Sequence, residues 1–154
     1  MQIRIIVAGL PKNRCIQNLT YDYIERIDHY SKISLEEIKP ESIISGMEKL
    51  ALKKEAKKFM LHMENSYNVV LDKDGEVLTS ELFANFLNKR IIGGVKTMNI
   101  IIGGPTGIDF SVKQRADKVL SLSRMTFSHE LSLLIIVEQI YRAFTIMYGL
   151  PYHK

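Results

Sequence analysis

The sequence is poor in cysteine: Cys15 is the one thiol among 154 residues. A lone thiol closes no internal disulfide, so a stapled secreted scaffold is excluded and a cytoplasmic setting is expected. Cys15 itself is expected to be a small buried apolar residue rather than a nucleophile. Glycine and proline are also few, nine and four, which excludes collagen-like and low-complexity chains. The longest uninterrupted apolar run, Leu133 to Val137, falls far short of a membrane span. The opening Met1-Gln2-Ile3-Arg4 lacks the basic, apolar and small-residue stretches of a signal peptide. His29, His62, His129 and His153 follow no metal-ligand spacing and no cysteine pair accompanies them, so neither a metal nor a membrane partner is expected.

What remains is ordinary globular composition, 46% hydrophobic and 25% charged. A chain of this length buries roughly 70% of its unfolded surface, enough for one domain over residues 1–154. The net charge of +4 is unevenly placed. Residues 1–77 balance 12 Lys/Arg with 12 Asp/Glu, whereas residues 78–154 carry nine against five. A basic C-terminal half suits a polyanion such as RNA, or simply makes a mildly basic solvated surface.

Apolar spacing gives the elements. Ile3, Ile5 and Val7 alternate up to Gly9-Leu10-Pro11, a first strand and turn. Ile16, Leu19, Tyr23, Ile27 and Tyr30 recur at helical steps. Ile33 and Leu35 open a short strand that stops before Pro40. A helix from about Glu41 to Glu64 turns Ile44, Met47, Leu50, Ala51 and Ala56 toward the core. Its Lys49, Lys53, Lys54, Lys57 and Lys58 form either an RNA-binding stripe or, with Glu48 and Glu55 interspersed, a solvated face. Asn68 to Leu71 and Met98 to Ile102 are compact buried strands, and Val119 to Ser123 a fifth. Between them Thr79 or Ser80 caps one helix, and the Ser111-x-x-Gln114 capping box opens another. A last helix starts near Ser128. Strands and helices thus alternate, and the strands are of the kind buried on both faces, which predicts a parallel α/β sheet. The last helix is apolar on nearly every side, from Leu131 to Met147. It therefore needs partners on more than one face: either a second protomer or a central place covered by its own chain.

Several stretches carry candidate chemistry. Gly103-Gly104-Pro105-Thr106-Gly107 follows a strand, where open α/β sheets bind ligands. Its spacing matches neither the dinucleotide fingerprint nor a phosphate-binding P-loop. Ser128 and His129 are adjacent, and helical neighbours do not face each other, so they form no dyad. Glu138 and Arg142 stand four apart, as a helix-stabilising pair or beside a site. Pro151-Tyr152-His153-Lys154 gathers an aromatic ring, an imidazole and a cation.

Three ordered motifs resemble the RlmH family, small SPOUT-class methyltransferases that modify a pseudouridine of the large ribosomal RNA. They are Ile100-Ile-Ile-Gly-Gly-Pro-Thr-Gly107, Leu120-Ser-Leu-Ser-Arg-Met-Thr-Phe-Ser-His129, and Glu138-Gln-Ile-Tyr-Arg-Ala-Phe144 with the final Pro-Tyr-His-Lys154. Leu71-Asp72-x-x-Gly75 and the chain length agree, so the likeness spans the whole sequence. It departs at Thr106, where relatives often carry an acidic residue, and at Arg14-Cys15-Ile16, where they often carry aromatics.

The resemblance implies a parallel-type α/β sheet flanked by helices, a SPOUT fold whose C-terminal part is threaded as a deep trefoil knot. It implies a homodimer with the active site at the interface, and bent S-adenosylmethionine as cofactor. The implied reaction is methyl transfer to N3 of a pseudouridine in helix 69 of 23S rRNA, on the assembled ribosome. Cofactor binding carries over onto Leu71, Gly103, Leu122, Ser123, Arg124, Met125, Thr126 and Phe127. Catalysis is assigned to the tail: His153 as proton acceptor, Arg142 and Lys154 on phosphate or the deprotonated base, Tyr152 against the nucleotide. The alternative expectation is a non-catalytic ribosome-binding protein of the same fold.

Overall fold

The computed structural model describes residues 1–42 and 45–153. In β1 (Gln2–Ala8), Ile3, Ile5 and Val7 enter one core while Ile6 and Ala8 enter another, each at most 1% exposed. A strand apolar on both sides requires a helical layer on each. The chain continues through α1 (Arg14–Asp28), β2 (Ile33–Ile38), α2 (Glu48–His62), β3 (Tyr67–Val77) and α3 (Ser80–Ile92). It ends with β4 (Thr97–Ile102), α4 (Phe110–Arg115), β5 (Lys118–Ser121) and α5 (His129–Met147). The strands form one sheet in the order β2-β1-β4-β3-β5, with every pair parallel, as expected.

Helices α1, α3 and α5 cover the face of Ile5, Leu71 and Ile100, and α2 and α4 cover the face of Ile6, Val70 and Ile101. Helix α5 packs against both α1 and α3. Its own chain thus flanks it on two sides, while Leu131 at its start stays 42% exposed. At the far end of the sheet, buried Asn99 donates to Asn68 Oδ1 at 2.9 Å and to the His62 carbonyl at 2.8 Å, tying the end of α2 to β3 and β4.

Four local expectations are corrected. Cys15 is exposed, because the buried stripe of α1 runs through Thr20 and Ile27, and Leu19 is 44% exposed. Helix α2 starts seven residues later than expected, at Glu48: Gly46 takes φ +83°, which a right-handed helix cannot include. Met47 and Leu50 are exposed, and the buried side carries Ala51, Glu55, Ala56 and Phe59; Ile44 lies outside the described residues. The cap of α4 is Asp109, whose carboxylate accepts the Ser111 peptide N–H at 2.9 Å and the Ser111 hydroxyl at 2.5 Å. Finally, β3 does not end at Leu71. Leu71 and Glu76 both pair with Leu120, so residues 72–75 bulge out of a strand that resumes.

Candidate active site

The carboxyl ends of β3, β4 and β5 lie side by side, and the chain leaves each through a tight segment. A cavity of about 230 Å³ opens there. Leu71, Gly103, Leu122, Ser123, Met125, Thr126 and Phe127 all line it. Arg124, exposed, and Thr106, half-buried, stand outside the lining. Positions that sequence reasoning missed include Asp72, Lys73, Ile108, His129 and Ser132. The last two come from the first turn of α5, where Ser128 is the cap; the strand-loop motifs gave no sign that this turn would reach back to the cavity.

Backbone geometry builds most of the wall. A Cβ on Gly103 would overlap the Gly107 carbonyl oxygen and Ile108 Cγ1, so only glycine lets the 103–108 segment fold onto itself. The Gly107 N–H donates to Gly104 O at 2.9 Å. The 121–125 turn is pinned in turn by Ser121 Oγ donating to Ser123 O (2.7 Å) and Met125 N–H donating to Ser123 Oγ (3.0 Å). Gly75 lies against the backbone of β5: a Cβ there would stand 2.5 Å from the Leu120 carbonyl carbon. Apolar walls and peptide edges suit a small ligand with an apolar ring, while Asp72, 3.1 Å from Lys113 Nζ, and Lys73 put both signs of charge in the lining. A second cavity of about 280 Å³ adjoins the first across Leu71, Ser121 and Leu122, and is closed by Phe83, Ile135 and Gln139.

The tail residues form a separate cluster. Arg142 Nε and Nη2 both donate to Glu138 Oε1, at 3.0 and 2.6 Å, and the Tyr152 hydroxyl donates to the same oxygen at 3.1 Å. The Tyr152 ring sits edge-on to Tyr141 and beneath the Arg142 guanidinium, with its hydroxyl 3.0 Å from that of Tyr23. His153 Nδ1 faces Arg142 Nη1 at 3.4 Å, and Nε2 faces Glu81 Oε1 at 2.8 Å. Because arginine only donates, Nδ1 must accept and the proton of a neutral ring sits on Nε2, toward Glu81. The bond to Glu138 pushes the Arg142 guanidinium up. Burial, with help from Tyr23 and Glu138, pushes the Tyr152 phenol up, so it stays protonated. The Thr79 hydroxyl, its own peptide N–H and His153, in that order, hold the Glu81 carboxyl down at about 2. Glu138 and Glu81 are the acceptors that organise this cluster. The spacing to Arg142 flagged the first, and nothing local flags the second, 72 residues from His153. Lys154 lies outside the described residues.

None of Arg142, Tyr152 and His153 lines the cavity. Arg142 stands ten residues beyond Ser132 on α5, about 15 Å along the helix axis.

A parallel sheet with helices on both faces, and a ligand-sized cavity walled by loops at adjacent strand ends, defines an α/β protein that binds its ligand outside the carboxyl ends of its strands. Residues 1–153 match the family model described as "Predicted SPOUT methyltransferase". The chain belongs to the SPOUT methyltransferase family. It is 40% identical over 158 residues to the ribosomal RNA large subunit methyltransferase H of Malacoplasma penetrans, covering 100% of both chains. With the protein of the same name from Syntrophobacter fumaroxidans it shares 39% identity over 157 residues, again covering 100% of both. Among solved structures, a probable methylase family protein from Haemophilus influenzae has the same fold, with a TM-score of 0.58 at 12% identity, over 99% of this chain and 70% of that one.

Proposed function

We propose that this protein transfers a methyl group from S-adenosylmethionine to N3 of a pseudouridine in helix 69 of 23S rRNA, on the assembled ribosome in the cytoplasm. The observation that carries the reading is the convergence of the 71–72, 103–108 and 121–127 segments on one cavity, in a chain about 40% identical to ribosomal RNA methyltransferases along its full length. The residues present fit the cofactor. Leu71, Ile102, Leu122 and Phe127 offer apolar walls to an adenosine ring, and peptide groups of the 121–127 turn are available to its edge. When bound, S-adenosylmethionine supplies an electrophilic methyl group on a sulfonium.

The chain supplies alignment and proton handling. Arg142 and Lys154 hold the RNA, Tyr152 packs against the nucleotide, and His153 accepts the imide proton. Glu81, 2.8 Å from Nε2, is placed to pair with the resulting imidazolium. These tail residues work as part of a homodimer, with one protomer's tail completing the other's cavity. Two features support that arrangement. The tail does not line the cavity of its own chain, and Leu19, Leu82 and Leu131 leave apolar area exposed on the outer sides of α1, α3 and α5. The passage of β5 directly beneath Gly75 supports the C-terminal trefoil knot.

The test is transfer of labelled methyl from S-adenosylmethionine to assembled ribosomes lacking the modification, followed by mapping of the nucleotide. Label at N3 of the helix 69 pseudouridine is expected, with much less on protein-free rRNA. Absence of label, from folded protein, favours a binding-only role.

A further inference from the structure

The five lysines of α2 do not behave as one group. Lys54 and Lys58 reach Glu41 at 3.8 and 2.5 Å, and Lys58 also donates to the Lys39 carbonyl. Lys49, Lys53 and Lys57 are exposed and have no acidic partner within 4 Å among the described residues. They recur at four-residue steps, so they share one face and span about 12 Å of helix. The two acids interspersed with these lysines on α2 are bonded elsewhere. Glu55 is 4% exposed and accepts the Glu41 peptide N–H at 2.9 Å, while Glu48 accepts that of Gly46 at 3.1 Å. Folding thus leaves Lys49, Lys53 and Lys57 solvated, with Glu41 taken up by Lys54 and Lys58.

The face of α2 opposite the stripe packs behind the 103–107 loop: a Cβ on Gly104 would lie 3.9 Å from Glu55 Oε2. Lys53 is near enough to Asp109, the cap that follows this loop, to help hold its carboxyl low. Helix α2 also lies on the opposite face of the sheet from α1, α3 and α5, and stays open in a dimer formed through those helices.

We propose that Lys49, Lys53 and Lys57 form a track for one strand of the ribosomal RNA backbone, leading it past the 103–109 segment toward the cavity. The proposal rests on the RNA-methyltransferase reading above. Three regularly spaced ammonium groups contact phosphates without reading bases, so the track contributes affinity and direction rather than sequence choice.

The experiment compares ribosome binding by wild type, by Lys49→Gln/Lys53→Gln/Lys57→Gln, and by Lys32→Gln/Lys89→Gln/Lys96→Gln, between 50 and 200 mM salt. The second triple removes equal charge from exposed positions at the opposite end of the sheet. All six substitutions sit on the surface, and S-adenosylmethionine titration of each protein checks that the cavity is intact. The α2 triple is expected to bind on the order of tenfold more weakly, with the slope of log affinity against log salt smaller by about 2, and its ribosome KM rises in step. The control triple stays within about twofold. Equal weakening in both triples, or wild-type affinity and slope in the α2 triple, overturns the track. The two readings fail separately. A wild type that binds through α2 yet methylates no ribosomal RNA keeps the track and sinks the activity, whereas an α2 triple that binds and methylates like wild type does the reverse.

Discussion

The cavity and the tail cluster are built on opposite principles. The cavity is shaped by backbone: glycines at 103, 104 and 107, and a serine-pinned turn at 121–125. The tail is held by side chains, with Glu138, Glu81, Tyr23 and Tyr141 anchoring Arg142, Tyr152 and His153. A backbone-built wall is insensitive to pH and intolerant of any added atom. A side-chain cluster tolerates substitution but depends on protonation. The division suits a site that must hold one invariant small ligand by shape and manage charge and protons on another. It also leaves the two halves apart within one chain.

The sharpest way to break the first half is Gly103→Ala. Its methyl group overlaps Gly107 O and Ile108 Cγ1, so the loop has to move. A displacement of that kind lowers cofactor affinity on the order of 100-fold, measured by calorimetric titration with S-adenosylmethionine. The same variant tests whether the halves meet across a dimer. Mixed with Arg142→Ala after unfolding and joint refolding, it recovers about a quarter of wild-type methyl transfer if one protomer's tail serves the other's cavity: half the dimers are mixed and each has one intact site. If cavity and tail act within one chain, the mixture stays as inactive as its parts.

The same contrast decides what was legible in the sequence. The strands were, because residues such as Val69-Val70-Leu71 and Ile100-Ile101-Ile102 are apolar on both faces and only a central parallel strand buries both. Their spatial order was not, since nothing in β4 itself says that it inserts between β1 and β3. The residues that line the cavity were named through the family resemblance, which rests on contiguous loop motifs close to strand ends. The tail's partners did not: Glu81 meets His153 through tertiary structure alone. Local competition caused the smaller misses. Asp109 captured the helix start that Ser111 promised, and the φ of Gly46 stopped a helix whose apolar spacing ran on. The apolar girth of α5 has two explanations in sequence; α1 and α3 cover its flanks, while Leu131 keeps 42% of its surface exposed.

Within the tail, Glu138→Ala has the larger effect on stability. It leaves Arg142 and Tyr152 without their shared acceptor and Gln139 Nε2 without its partner. Because the site is only partly buried, the cost is about 1 to 2 kcal/mol, read as a lower urea midpoint. Tyr152→Phe removes one hydroxyl and keeps the ring packing, for about 0.5 to 1 kcal/mol. Cofactor affinity stays put in both, since neither side chain lines the cavity. A cofactor defect as large as that of Gly103→Ala would erase the distinction between the two regions.

The smallest effect is a matter of pH. The folded-state carboxyl of Glu81 sits at about 2, below its ordinary value of 4.5. A depressed carboxylate contributes stability that is fully present above the unfolded value and is lost as pH falls through the folded one. Urea midpoints of wild type and Glu81→Gln therefore differ at pH 6, and the gap closes between pH 4.5 and about 2. Glu81 is exposed, so the gap is modest; a gap constant down to pH 2 would show that nothing holds this carboxylate. The Thr79 hydroxyl and the Glu81 peptide N–H act before His153, so His153→Ala narrows the pH-dependent part only slightly. The cap of α3, with Thr79 Oγ1 accepting the Leu82 N–H, does not pass through His153 and stays formed in that variant.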